Sequence, residues 1–173
     1  GWGLAKPNRG NAITLAKTKE MTSLWNKYPH TTLCASGKCA GLPEGQDGNS
    51  EAGHLNLGAG RIVKQDAIFI TDSIKDGTFF KNAAFLEPIE HVKEHKSKLH
   101  IMGLLSNGDS AHASPEHIYA LLELAKKHKL DKVYLHLFTD GRDSPQHASI
   151  KLLRKLKEHF HGKEEIATIS GRL

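Results

Sequence analysis

Ser50 stands in the one stretch of this chain whose residue types and spacing could handle a phosphoryl group. Between Pro43 and Arg61 several glycines, the Ser50 hydroxyl, Glu51, His54 and a closing arginine crowd a segment that is neither a linker nor an ordinary amphipathic helix. Gly45 and Gly48 permit positive φ and close backbone approach, so the chain can turn sharply and present Ser50 at the start of the next element. Glu51 to Leu57 reads as a helix with Ser50 as its N-cap. A hydroxyl there lies at the positive end of the helix dipole beside free N–H groups, where an anion is held well.

The common glycine-rich explanations fail on spacing. No Gly-Lys-Ser/Thr occurs, which excludes a Walker A loop. Gly48 and Gly53 frame Ser50 as G-x-S-x-x-G, one residue too long for a hydrolase elbow. Gly58 and Gly60 open a G-x-G, but position 63 is Val where a dinucleotide fingerprint needs a third glycine. The pattern leaves open a phosphate-handling serine loop and a tightly turned structural loop.

A second group of candidates emerges from topology. Leu99 to Leu105 reads as an apolar strand, and Pro115 to Lys129 as an amphipathic helix with Ile118, Leu121, Leu122 and Ala125 inward. Val133 to Phe138 is a second strand, Ser144-Pro145 opens a helix to about Phe160, and Glu165 to Ser170 is a third strand. Such a βαβαβ order makes a parallel sheet, whose ligands sit beyond the carboxyl ends of its strands. The loops leaving those ends carry His112, then Asp140, Arg142 and Asp143, then Arg172. Guanidiniums hold carboxylate and phosphate in bidentate fashion, while a histidine and an aspartate manage protons or hydroxyls.

Earlier in the chain, residues 1–12 read as loop, because Pro7, Asn8 and Gly10 block regular structure. Thr18 caps a helix to about Tyr28, with Met21, Leu24, Trp25 and Tyr28 as a core stripe. Thr31 to Ala35 is a short strand candidate, Asp66 caps a helix to about Lys75 before the Asp76-Gly77 turn, and a helix runs from Pro88 to about His95. The character of the chain changes around Lys64 to Asp66, where a domain boundary is expected. His91-Val92-Lys93-Glu94-His95 matches the H-x-x-E-H zinc pattern, but short patterns recur by accident in a His-rich and Lys-rich segment, and no third ligand is evident.

Gly48-Asn49-Ser50-Glu51-Ala52-Gly53-His54-Leu55-Asn56-Leu57-Gly58-Ala59-Gly60-Arg61 resembles the nucleophile motif of the cofactor-independent phosphoglycerate mutases, metal-dependent relatives of alkaline phosphatase. The likeness extends through Gly41 to Gln46 and Ile62 to Asp66. Gly103 to Ser106, His136 to Asp143 and Ile166 to Arg172 resemble the substrate-binding loops of the same family. The resemblance implies an α/β chain: part of an alkaline-phosphatase-like domain over residues 1–65, then the first part of a parallel-sheet substrate domain over residues 66–173. It implies Ser50 as nucleophile and metal ligand, with His112, Arg142, Asp143 and Arg172 on 2- or 3-phosphoglycerate. The His112 loop is longer and differently composed than the family's common two-histidine version.

The family interconverts 2- and 3-phosphoglycerate through a phosphoserine, with two divalent metal ions, typically manganese, and no bisphosphoglycerate. Its first-strand Asp would precede Gly1 and its other Asp and His ligands would follow Leu173, so this sequence reads as an incomplete chain, inert by itself. Two rivals are a non-catalytic module that grips phosphorylated acids through Arg142 and Arg172, and a metal-dependent phosphohydrolase of the same superfamily.

Composition sets the remaining expectations. The chain of 173 residues carries a net charge of +5, spread along helices without a dense basic block, which favours a small anionic substrate over nucleic acid. No apolar run approaches the roughly 20 residues that span a bilayer, and no signal peptide pattern opens the chain, so a cytoplasmic protein without a membrane partner is expected. Cys34 and Cys39, with no second pair, could form a zinc half-site but read first as free buried thiols in a reduced compartment.

Overall fold

The computed structural model describes residues 2–110 and 112–172, and the chain divides into two compact units, Gly1–Cys34 and Ala35–Leu173. The first unit holds two short helices, α1 (Ala12–Leu15) and α2 (Lys19–Lys27). Asn11 caps α1 by accepting the Thr14 N–H. The apolar stripe of α2 is not core: α2 has no buried residue, and Leu24 and Tyr28 are half exposed. A segment this short has too few apolar side chains to enclose one another. Thr31 to Ala35 forms no strand: among the described residues the one sheet is β1-β2-β3, and this segment does not pair with it.

The second unit is α/β. Its helices are α3 (Ser50–Ala59), α4 (Asp66–Asp76), α5 (Ala83–His95), α6 (Pro115–Lys127) and α7 (Ser149–Lys157), and its strands are β1 (Leu99–Leu105), β2 (Val133–Asp140) and β3 (Glu164–Arg172). The strands form one parallel sheet in the order β1-β2-β3, as the βαβαβ order predicts. Register aligns Leu105 with Thr139 and Thr139 with Gly171, so the three carboxyl ends finish flush along one edge.

Three element starts depart from expectation for local reasons. Helix α4 takes Gln65 at its cap position, and Asp66 becomes its first residue. Helix α5 starts before Pro88 because Asn82 caps it, accepting the Ala84 N–H at 3.0 Å. Helix α7 starts at Ser149 rather than Pro145, because the Ser144 hydroxyl is engaged elsewhere and caps nothing.

One hydrophobic core serves the sheet. Ile101 and Leu105 of β1 and Val133, Leu135 and Leu137 of β2 join Ile89, Val92, Ile118, Leu122 and Leu156 of the helices, and Leu135 is fully buried. Alternation puts His100, Met102, Tyr134, His136 and Phe138 on the opposite face, exposed or half-buried. There the rings of His100 and His136 bond at 2.9 Å, and His136 reaches the Thr168 hydroxyl at 2.9 Å. A separate small cluster, Ala40, Leu42 and Ala52, lies beneath α3. Among the described residues no helix is long and apolar enough to cross a membrane. Neither cysteine is a free thiol, and neither is buried: Cys34 and Cys39 are both disulfide-bonded and exposed.

Helices α4 and α6 are joined by the Thr71 hydroxyl and the His117 ring, 3.0 Å apart. Burial lowers the His117 pKa, with Glu116 opposing the effect. The folded chain therefore binds protons at this ring less readily than the unfolded chain. Its contribution to stability is complete above the ordinary histidine value of 6.5 and is lost as pH falls below it. Thermal melts from pH 8 to pH 5 should show a smaller acid-side loss for His117→Gln than for the natural chain.

Candidate functional site

Two places carry the candidate residues, and each has its own local support. Around Ser50, Gly45 adopts a left-handed φ of 78°, and a Cβ at Gly48 would lie 1.7 Å from the Ala35 carbonyl oxygen. The turn therefore needs glycine at one position for conformation and at the other for contact. Asn49, not Ser50, is the N-cap of α3, accepting the Ala52 N–H at 2.9 Å. Its longer side chain reaches that N–H, and Ser50 becomes the first helical residue with its hydroxyl released from capping. The hydroxyl still sits at the positive end of a ten-residue helix.

The Ser50 Oγ lies 3.1 Å from His54 Nδ1, and the same nitrogen lies 2.7 Å from the Ser50 carbonyl oxygen. A carbonyl only accepts, so Nδ1 carries the proton and donates to both oxygens. His54 thus orients the serine oxygen rather than withdrawing its proton through this nitrogen. Farther along α3, Asn56 donates to the Ala40 carbonyl at 2.8 Å and accepts the Val63 N–H at 2.8 Å. That asparagine stitches the helix to the loops on either side of it, a role its place in the sequence did not reveal.

The second place is the edge where β1, β2 and β3 end. The buried polar residues of the described chain are Ser106, Ser110, Asp140 and Ser144, and all of them lie here. Asp140 Oδ1 accepts the N–H groups of Arg142 at 3.0 Å and Asp143 at 3.1 Å, and Oδ2 accepts the Ser144 N–H at 3.0 Å and its hydroxyl at 3.1 Å. Burial alone would raise the Asp140 pKa, but these bonds outweigh it and hold the carboxyl below its ordinary value. The turn that follows β2 is thereby folded around an ionised carboxylate, with Arg142 and Asp143 exposed on its outer side.

The loop after β1 is tied to that turn. Asn107 N–H donates to Ser144 Oγ at 3.0 Å, and Ser110 Oγ donates to Asp143 Oδ2 at 2.9 Å. His112, exposed, donates its backbone N–H to Ser110 Oγ at 3.2 Å. His112, Arg142 and Asp143 thus belong to two loops joined by direct hydrogen bonds. Arg172 ends β3 opposite Asp140, but its side chain lies outside the described residues. Ser50 belongs to neither loop. Asn107 and Ser110 were given no role by sequence, Ser106 only ended a family-like run and Ser144 was read only as a helix start; the signal after β1 was a run of hydroxyl and amide residues directly following an apolar strand.

The comparisons with known proteins converge. The family described as BPG-independent PGAM N-terminus matches residues 70–173. A 2,3-bisphosphoglycerate-independent phosphoglycerate mutase of Acholeplasma laidlawii is 51% identical over 99% of this chain. One from Clostridium perfringens is also 51% identical over 99% of the chain. The chain spans only 33% and 34% of those two relatives. A phosphoglycerate mutase of Leishmania mexicana, solved at low cobalt concentration, superposes with a TM-score of 0.75 at 31% identity, covering 92% of this chain and 30% of that one.

Removing the Asp140 carboxylate leaves several donors without their acceptor. Asp140→Ala should lower unfolding stability by about 3 kcal/mol, and Asp140→Asn, which keeps one acceptor, by less. Urea unfolding at neutral pH measures both.

Proposed function

Because the chain belongs to the BPG-independent phosphoglycerate mutase family, we propose that it forms the nucleophile segment and the first part of the substrate-binding domain of an enzyme that interconverts 2- and 3-phosphoglycerate. The observation that carries this reading is the pair of hydrogen-bonded loops bearing His112, Arg142 and Asp143 within the region that matches the family. Residues 1–65 are the phosphatase-like part and residues 66–173 the substrate part. The separate clusters under α3 and under the sheet, and a family match that begins at residue 70, support that division.

The roles follow from chemistry. Arg142 supplies a planar fork of donors for the phosphate or carboxylate of the glycerate. Asp143 accepts from a glycerate hydroxyl, and His112 donates to an anionic oxygen or exchanges a proton with a hydroxyl. Arg172 is a second guanidinium for the same ligand. Ser50 is the nucleophile, presented at a helix N-terminus where incoming phosphate charge is favoured. The ligand is small and anionic, and neither nucleic acid nor a membrane enters the reading. The cytoplasm is the compartment that suits this substrate.

Two divalent metal ions, which the family resemblance implies, do not fit the residues present. Among the described residues no three His, Cys, Asp or Glu side chains come together in a way that could hold a metal ion. The chain's own residues serve to grip the substrate and present the serine. A second reading, a non-catalytic module that grips phosphorylated acids through Arg142 and Arg172, differs from the first only in whether Ser50 ever carries phosphate.

Calorimetric titration with 3-phosphoglycerate should give saturable binding, weakened about tenfold or more in Arg142→Ala, the loss expected for a charge-assisted contact. Phosphorus NMR of the same chain with 2-phosphoglycerate and manganese should show no interconversion. Absence of saturable binding would sink the substrate reading; interconversion would sink the inertness of the isolated chain.

A further inference from the structure

We propose that Ser110 is a positioning residue for phosphoglycerate, acting through the carboxylate of Asp143 and the backbone of His112. The inference rests on the functional reading in which those two residues face the substrate. Ser110 is buried, at 4% exposure, although it lies in the loop between β1 and α6. Its hydroxyl donates to Asp143 Oδ2 at 2.9 Å and accepts the His112 N–H at 3.2 Å. A hydroxyl has one proton, and an ionised carboxylate can only accept. The proton therefore points to Asp143, and a lone pair remains for His112. The direction of both bonds is fixed by chemistry.

That arrangement links the two loops at the residues assigned to the ligand. Asp143 is exposed and follows β2, on the loop that also carries Arg142. A bond from a buried hydroxyl selects one orientation of the carboxylate before any ligand arrives, which lowers the ordering cost of binding. Ser106 offers an internal contrast. Its hydroxyl donates to the Ala113 carbonyl at 3.0 Å and accepts the Gly108 N–H at 3.2 Å, so it shapes the same loop through backbone groups of that loop. Ser110 differs by acting on a side chain assigned to the ligand.

The test is a double-mutant cycle on the full 173-residue chain, with binding of 3-phosphoglycerate read by calorimetry and folding read by thermal melts. Ser110→Ala should weaken binding about tenfold, the scale of one hydrogen bond to a charged group. Ser110→Thr, which keeps the hydroxyl, should restore most of that loss. In the Asp143→Ala background the same Ser110→Ala change should cost clearly less than in the natural chain, because only the route through the His112 backbone remains. If Ser110→Ala does not fold, Ser110→Cys, similar in shape but a weak donor, replaces it with the same expected loss. An equal loss in both backgrounds, or binding by Ser110→Ala within about twofold of the natural chain, overturns the inference alone. Failure of the natural chain to bind saturably overturns the substrate reading and this inference with it.

Discussion

The carboxylate of Asp140 collects backbone and hydroxyl donors at the end of β2, and the polar edge of the sheet depends on it. The bonds from Arg142, Asp143 and Ser144 fold the chain back within four residues of the strand. A buried carboxylate is costly unless its lone pairs are satisfied, and here the turn itself satisfies them. The same bonds that stabilise the charge therefore dictate where the two following side chains emerge. Ser144, held by Asp140, then receives Asn107 from the neighbouring loop, so the constraint passes from β2 to β1.

Parallel pairing makes that passage possible. Flush carboxyl ends bring the loops after β1 and β2 side by side, although Asn107 and Ser144 are 37 residues apart in sequence. Each loop returns to a helix that packs on the apolar face, so the polar edge is anchored from below by Leu105, Leu137 and the α6 residues Ile118 and Leu122. The apolar core sets the strand register, and the register sets the spacing of the polar groups. A slip of one residue would exchange the faces of the strand and separate the two loops.

Elements with strong periodicity were legible in the sequence, and elements defined by particular side-chain bonds were not. The run Leu99 to Leu105 is recovered as β1 to the residue, because a mostly apolar strand between turn residues has few alternatives. Ser144-Pro145 carries every local mark of a helix start, yet the hydroxyl bonds back to Asp140 and across space to Asn107, and the helix begins later. Ser50 lost the cap to its neighbour in the same way: serine and asparagine both cap well, and only the geometry of the turn decides between them. The stripe on α2 misled for a different reason. Its spacing is that of a buried face, but burial needs a partner surface, which helical periodicity does not encode. At the candidate site, charged residues at strand ends could be predicted from topology, whereas the serines that hold them could not.

The two candidate places also differ in what they need to work. The sheet edge carries its own supporting interactions: each of its buried polar side chains has hydrogen-bond partners, and apolar residues close its base. Ser50 is positioned equally well, by Asn49, Gly48 and the His54 N–H, but position alone does not make a serine a nucleophile. Its hydroxyl keeps its proton near neutral pH unless a base takes it or a cation lowers its pKa. His54 presents a donor through Nδ1, so the base is not supplied from that nitrogen. Supporting the polar loops and activating the serine are therefore separable properties of this fold: the first arises from bonds local to one sheet edge, and the second requires a base or cation that His54 Nδ1 does not supply.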